Sequence, residues 1–589
     1  MSRYRYLLST LLLFSAWTVL SAKTTRVNLS DFGLRPGNST TEKFNNAISK
    51  ALAQVPEKDT VIIALTKGTY EFHPSKKTSR TLFISNHDQP NPKSIGIILE
   101  GRSNVTIDGA GSDLNFHVAS MLPIAITNSK NITLTNLHID FPEPQIGQIE
   151  IVANDTISKT IEFRPDKNLK WEIDNGRFCF KADDKTIIPI AGMAFEHDTR
   201  HIVYNTSDIV FNNSDIQLIG NDLLKANWDN KKLTPGTIVT LRSYDRPAPA
   251  VFVDGSSDIH LTDMYVHYAN GMGLLAQNTT DISLNAFNVC LRGDNDSRYF
   301  TTQADATHFS GCRGEIHSTN GLYEAMMDDA INVHGTYLKL RTINDRRTII
   351  CEYMHPQSYG FNWGIPGDSV QILASRTMET ISEIVTIADI KPFDMPSDKG
   401  AKMFMITLSQ DLPDNIDLAE ASYGIENLSA TPSVVFANNT IRNNRARGAL
   451  FSTPKKVVAE NNLFDHTSGS AILLCGDCNG WFETGACHNV TIRGNRFVNS
   501  LTNLFQFTNA IISIYPEIPD LNSQHQYFHS NITITDNVFE TFDNPLLYAK
   551  SVSGLIFLNN DVIRNNDFPA FHWNKAPIFL EHVDQAKIQ

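Results

Sequence analysis

Two short phrases, Gln303-Ala-Asp305-Ala-Thr-His308 and Met327-Asp328-Asp329-Ala-Ile-Asn332-Val-His334, carry the residues best suited to chemistry. Asp305 and Asp329 each open an Asp-Ala pair, and they stand 24 residues apart. That interval suits one coil of a stacked parallel β-structure, whose neighbouring strands lie about 4.8 Å apart. In register, Asp305 and Asp329 stack, and Asp328 adds a third carboxylate. Clustered carboxylates shift one another's proton affinity, which suits acid–base cleavage of a glycosidic bond. A lone Asp at a bend commonly caps a turn; three within one coil interval need more than capping to explain them. Asp328 and Asp329 are adjacent, so a regular strand would send them to opposite faces. Both reach one cleft only if a bend or bulge falls between them.

Further candidates surround this trio. His308 falls opposite Asn332 under the same step, and His334 follows closely; both histidines either touch a substrate or pack beside the site. Glu324 could orient a substrate hydroxyl or be a solvated turn residue. Arg292 stands in a charged loop, Leu291-Arg-Gly-Asp-Asn-Asp-Ser-Arg298, that could fix sugar hydroxyls. Trp363 and Trp481 could stack on the C–H face of a sugar, with core packing as the ordinary alternative. No phosphate-loop, dinucleotide, Gly-x-Ser-x-Gly or His-Glu-x-x-His pattern occurs, so no cofactor and no metal is expected.

The elements that must position these residues show as internal repetition. Turn-then-strand phrases recur at Asn104-Val-Thr-Ile107, Asn131-Ile-Thr-Leu134, Asp258-Ile-His-Leu261, Asp281-Ile-Ser-Leu284, Asn489-Val-Thr-Ile492 and Asn531-Ile-Thr-Ile534. The step is 27 from Asn104 to Asn131 and 23 from Asp258 to Asp281. Asn-Asn pairs at Asn438, Asn461 and Asn559 repeat the theme. Such coils bury their apolar face only by stacking. The prediction is an all-β chain, a parallel β-helix of coils at 23–143, 249–336 and 431–589. A helix from about Thr40 to Leu52, capped by Ser39 or Thr40, should cover its open end. Residues 144–248 and 337–430 break the rhythm and read as two inserted antiparallel, barrel-like β-domains. The second begins just after His334 and is expected to hang over the carboxylates.

Residues 1–22 read as an export signal, with Arg3 and Arg5 ahead of an apolar stretch from Leu7 to Leu20. The predicted destination is the periplasm, the cell surface or the medium. No later segment is long and apolar enough to span a membrane. The chain has 50 basic and 63 acidic side chains, a net charge of −13, which disfavours nucleic acid or a membrane surface as partner. Seven Cys are present. Cys290 and Cys312 should stack on adjacent coils, and one disulfide is expected among Cys475, Cys478 and Cys487; a zinc site there is the weaker alternative.

Leu82-Phe-Ile-Ser-Asn-His87-Asp, Met326-Met-Asp-Asp-Ala-Ile-Asn-Val-His334-Gly and Met354-His-Pro-Gln-Ser-Tyr359-Gly carry a resemblance. The chain resembles the bacterial α-1,3-galactosidases of glycoside hydrolase family 110 over nearly its full length after the signal. It is less similar to the polygalacturonases, lacking their Gly-His-Gly and Arg-Ile-Lys phrases. The resemblance implies a right-handed β-helix and an inverting exo-hydrolase that removes terminal α-1,3-linked galactose, as on blood group B structures. It also implies that Asp328 is the general acid and that Asp305 and Asp329 together activate water. Inversion ordinarily sets acid and base about 6.5–9.5 Å apart.

Two rival readings stand beside it. A β-helix polysaccharide lyase would take its proton acceptor from His308, Arg292 or Tyr299 and could bind calcium on the Asp trio. A non-catalytic glycan-binding β-helix would use the same surface without turnover.

Overall fold

The computed structural model describes residues 23–394 and 399–589. The export signal read at 1–22 lies outside the described residues. β-Branched and leucine side chains at one position per coil build the core. Val61, Val105, Ile132, Ile259, Ile282 and Ile316 stand above one another in parallel register. The column continues through Val434, Val457, Val490, Ile532 and Leu555. All eleven are buried, and burying each contributes on the order of 1.5–3 kcal/mol. Such a column fits a parallel β-helix, in which no coil covers its own inner face. The steps of 27 and 23 appear as the pairs Val105–Ile132 and Ile259–Ile282.

A second column is polar. Asn439, Asn462, Asn495 and Asn537 each donate from Nδ2 to the Oδ1 of the next, at 3.2, 3.0, 3.0 and 2.9 Å, ending on Asn560. Buried amides need partners, and stacking identical amides supplies them at every bend. The helix Thr41–Leu52 covers one end of the core; the Thr40 hydroxyl accepts from Lys43 N–H at 3.2 Å. Its buried Phe44 packs on Tyr70 and Phe72.

Two insertions interrupt the stack. Ile132 pairs directly with Ile259, and the chain between them contributes seven antiparallel strands from Gly147–Asp155 to Ile238–Arg242, plus a three-stranded sheet. Ile316 pairs directly with Val434, and between them a closed six-stranded barrel runs from Leu338–Ile343 to Tyr423–Asn427. Each insertion has its own apolar core. Among the described residues no helix is long and apolar enough to cross a membrane.

The cysteines depart from expectation. All seven are buried and unbridged. Cys475, Cys478 and Cys487 form no disulfide, because each thiol fills a separate packing position: Cys478 reaches Ser375 Oγ at 3.4 Å, and Cys487 reaches Phe451 O at 3.4 Å. Nor do Cys290 and Cys312 stack. Cys312 follows the coil level of Thr279, whereas Cys290 N–H bonds to Val266 O on a different edge.

Candidate active site

The carboxylates sit at one corner of successive coils. Asp305 lies two residues before the strand Thr307–Ser310, and Asp329 two residues before Ile331–Thr336. Thr307 pairs with Ile331, so the 24-residue step holds and the two Asp stack. The chain bends at Met327 and Asp328 between the strands Leu322–Glu324 and Ile331–Thr336. That bend brings Asp328 to the same side as Asp329. Carboxylate oxygens of all three lie within 4.8 Å of one another.

Arginines hold the trio in place. Arg447 occupies the matching corner of the next coil, two residues before Ala449–Ser452. It donates to Asp329 from its backbone N–H at 3.0 Å and from Nη2 at 2.8 Å. Asp328 accepts from Arg445 Nη1 at 3.0 Å and Arg246 Nη2 at 3.4 Å. Arg445 is itself oriented by a two-pronged contact to Asp208, at 2.7 and 2.8 Å. Buried Arg242 donates to the carbonyls of Gln303 and Met327 at 3.0 and 3.2 Å, bracing both carboxylate-bearing corners. Three close carboxylates would suit a cation, but here guanidinium groups already occupy that electrostatic role.

The charges within the trio are unequal. Burial, reinforced by Asp328, pushes Asp305 up to about 8. Burial also raises Asp329, well above the usual carboxylate range and against the pull of Arg447. Asp328 is buried too, yet Arg445, Arg447 and Arg246 overcome that and hold it below the usual carboxylate range. Asp329 has Arg447 on both oxygens, whereas Asp305 faces an imidazole and one amide. Both carboxyls are raised by burial and titrate as a pair, and among the described residues Asp305 is the member with no guanidinium on its oxygens.

These groups line a cavity of ≈ 240 Å³ with Tyr244, Asn332, Leu450, Trp481, Glu483 and Phe505 among its walls. Arg242, Tyr244 and Arg246 come from the chain leaving the first insertion, and the other side comes from the loops at 475–483 and 505–507. Among the described residues, none from the second insertion lines the cavity. The expected overhang of the carboxylates is not seen among the described residues; the barrel meets the cavity wall through His355, stacked on Trp481 at 4.8 Å. Trp481 is 39% exposed. Asp477 fixes its loop by accepting from the backbone N–H of Asn479, Gly480 and Trp481 at 2.7, 2.8 and 2.6 Å.

Of the predicted substrate contacts, Trp481 and His308 line the cavity. His308 has no ring nitrogen left for a sugar, because Nδ1 meets Asp305 at 2.7 Å and Nε2 meets His334 at 2.8 Å. His334 stands behind it, also with both nitrogens engaged. Glu324 is paired with Arg442 and lines a different, larger groove with His201 and Tyr299. Arg292 is tied to Asp140 and Asp113, both at 2.8 Å, also outside this cavity. Trp363 is 4% exposed in the barrel core, its Nε1–H donating to Thr336 O at 2.7 Å, so it offers no stacking face. Tyr299 gives its hydroxyl proton to His197 O and lines other cavities, so the lyase constellation is not assembled.

Arg246, Arg445, Arg447 and Glu483 were not expected from the sequence. Arg447 was within reach: with the barrel set aside, Ile331 pairs with Ala449, and Arg447 falls directly after Asp329 in the stack.

A parallel β-helix with an arginine-braced carboxylate cleft and an exposed tryptophan wall defines a carbohydrate-hydrolysing type of site. Relatives make that particular. Over 98% of its length the chain is 52% identical to a protein named alpha-1,3-galactosidase B from Parabacteroides distasonis, covering 95% of that protein. It is 50% identical over 99% of its length to one of the same name from Bacteroides fragilis, covering all of it. A protein named alpha-1,3-galactosidase A from Bacteroides fragilis is 30% identical over the whole chain and 95% of its own length. The GLAA-B beta-barrel domain I model matches residues 147–239, and the GLAA-B beta-barrel domain II model matches 348–420. The chain belongs to the alpha-1,3-galactosidase B family.

Proposed function

We propose that this chain is an exo-acting hydrolase that removes a terminal α-1,3-linked galactose, with inversion, from glycans such as blood group B structures. The observation that carries the reading is the trio Asp305, Asp328 and Asp329 on one coil corner with an unequal proton distribution. The cavity of ≈ 240 Å³ falls below the about 300–1,000 Å³ of drug-sized sites and suits a single terminal sugar. The export pattern at residues 1–22 supports action on glycans outside the cytoplasm.

Asp328 is the most exposed carboxylate of the three, at 14% against 6% for Asp305 and 1% for Asp329. In this reading it protonates the leaving oxygen, while the stacked pair activates water. A water at about 2.8 Å from each of two oxygens fits between atoms no more than 4.8 Å apart. The arginines keep Asp328 ionised in the free cleft, so its acid form belongs to the substrate complex, where bound sugar excludes water.

The short spacing favours a second reading: a retaining displacement with ionised Asp328 as nucleophile and Asp305 as acid. Retaining pairs stand about 5–5.5 Å apart. α-Galactosyl fluoride, whose leaving group needs no acid, separates the roles. Asp328→Asn should lose disaccharide hydrolysis but keep fluoride hydrolysis, whereas Asp305→Asn should lose both. Loss of fluoride hydrolysis in Asp328→Asn alone contradicts the acid role.

A further inference from the structure

Behind the carboxylates runs a file of buried groups that acid–base hydrolysis by the trio leaves unused. His308 Nδ1 lies 2.7 Å from Asp305 Oδ2, and His308 Nε2 lies 2.8 Å from His334 Nε2. His334 Nε2 in turn lies 3.4 Å from Glu483 Oε1. Both imidazoles are buried, while Glu483 reaches the cavity wall.

Proton positions along this file depend on one another. Gly335 O can only accept, so His334 Nδ1, 2.5 Å away, carries a proton. A neutral His334 then offers a lone pair at Nε2, and His308 Nε2 must donate to it. That leaves a lone pair on His308 Nδ1, and Asp305 Oδ2 must be the donor, a protonated carboxyl. The same contacts close in reverse when His334 carries protons on both nitrogens. His308 then holds its proton on Nδ1 and donates to an ionised Asp305. The two arrangements differ by one proton moved from one end of the file to the other.

We infer that His308 and His334 form a proton relay that moves the Asp305 proton to His334, beside Glu483, and so converts Asp305 from a carboxylic acid into the general base. The relay rests on reading the trio as an acid–base set. In the step, the Asp305 Oδ2–H bond breaks as His308 Nδ1–H forms, and the His308 Nε2–H bond breaks as His334 Nε2–H forms. His334 becomes an imidazolium and the Glu483 carboxylate balances its charge, so no other reactant is needed. Besides Asp305, which it touches, the charged groups acting on His308 are His334, Glu483, Arg246 and Asp328, and His87 and His308 also influence each other. Burial, then His334, favours a neutral His308, in keeping with the resting arrangement.

His308 and His334 are positioning residues, so the test needs more than loss of activity. The full chain and its His334→Gln variant are compared on a Galα1-3Gal disaccharide between about pH 5 and 9. Long-range proton–nitrogen spectra of the histidine-labelled wild type are recorded with and without galactose. His334→Gln should lower kcat about tenfold or more, leave KM within about twofold, and move the rising limb of kcat/KM to higher pH. In the wild type, the His308 proton should sit on Nε2 when free and on Nδ1 with galactose bound. A folded variant with unchanged kcat and limb overturns the relay, as does a His308 proton on Nδ1 in both states. Should His334→Gln fail to fold, the wild-type spectra decide. If the wild type releases no galactose, the catalytic reading falls, and the spectra still decide the relay.

Discussion

Asp329 donates its backbone N–H to Asp305 Oδ1 at 3.3 Å, one coil below. The two side chains thus share a position in the stack but not an environment. Asp329 faces a guanidinium, and Asp305 faces an imidazole. This asymmetry lets one buried corner hold a proton beside an ionised carboxylate.

Arg447 is the counter-ion of the least exposed carboxylate. Arg447→Gln removes the charge and leaves Asp329 buried and unpaired. Losing one member of a buried pair costs about 3–5 kcal/mol. Denaturant unfolding should register a loss of that order together with loss of hydrolysis. Unchanged stability would place the Asp329 charge elsewhere.

Asp305 predicts a sign for the pH dependence of stability. Its carboxyl in the folded protein is raised to about 8, above the about 3.9 of an unfolded Asp. Between those values the folded state binds more protons, so this group's contribution to stability falls as pH rises. Asp305→Asn removes that penalty. Melting temperatures of wild type and Asp305→Asn should diverge in favour of the variant from about pH 5 to 8. A difference that stays flat across the range would mean that Asp305 is already ionised.

The two tryptophans should behave in opposite ways. Trp481 faces the cavity, so Trp481→Ala should raise KM about three- to tenfold, the worth of one aromatic stacking contact, with little change in melting temperature. Trp363 is buried in the barrel core, so Trp363→Ala should lower the melting temperature and leave KM alone. Steady-state kinetics and thermal unfolding of both variants check the assignment.

Seven free buried thiols make a further prediction. A reductant should leave the melting temperature unchanged, whereas loss of a structural disulfide typically costs about 2–5 kcal/mol. Thiol titration in denaturant without reductant should count all the cysteines. A shortfall of two would reveal a bridge.

Much of this site was legible because a stacked fold turns sequence spacing into contact. The 24-residue step gave the Asp305–Asp329 stack and placed His308 opposite Asn332. The Asn pairs foretold the asparagine ladder. The requirement for a bend at Asp328 followed from strand alternation alone. Arg447 was harder to see, since it lies 118 positions after Asp329, on the far side of the inserted barrel. Arg246 enters from the tail of the other insertion, which no coil step reaches. Trp363 and Trp481 look alike in sequence, each beside glycine in a loop, and only the barrel's closure separates them. The cysteine loop misled because its spacing suits a disulfide, while each thiol is taken up by separate packing.

The most direct test of the central claim is the anomer first released from a Galα1-3Gal disaccharide and a blood group B trisaccharide, followed by proton NMR with wild type and Asp328→Asn side by side. The account predicts β-galactose first from wild type, and at least about a hundredfold loss of rate in Asp328→Asn. α-Galactose first would contradict inversion and make Asp328 the nucleophile; no galactose from either glycan would contradict the proposed activity itself.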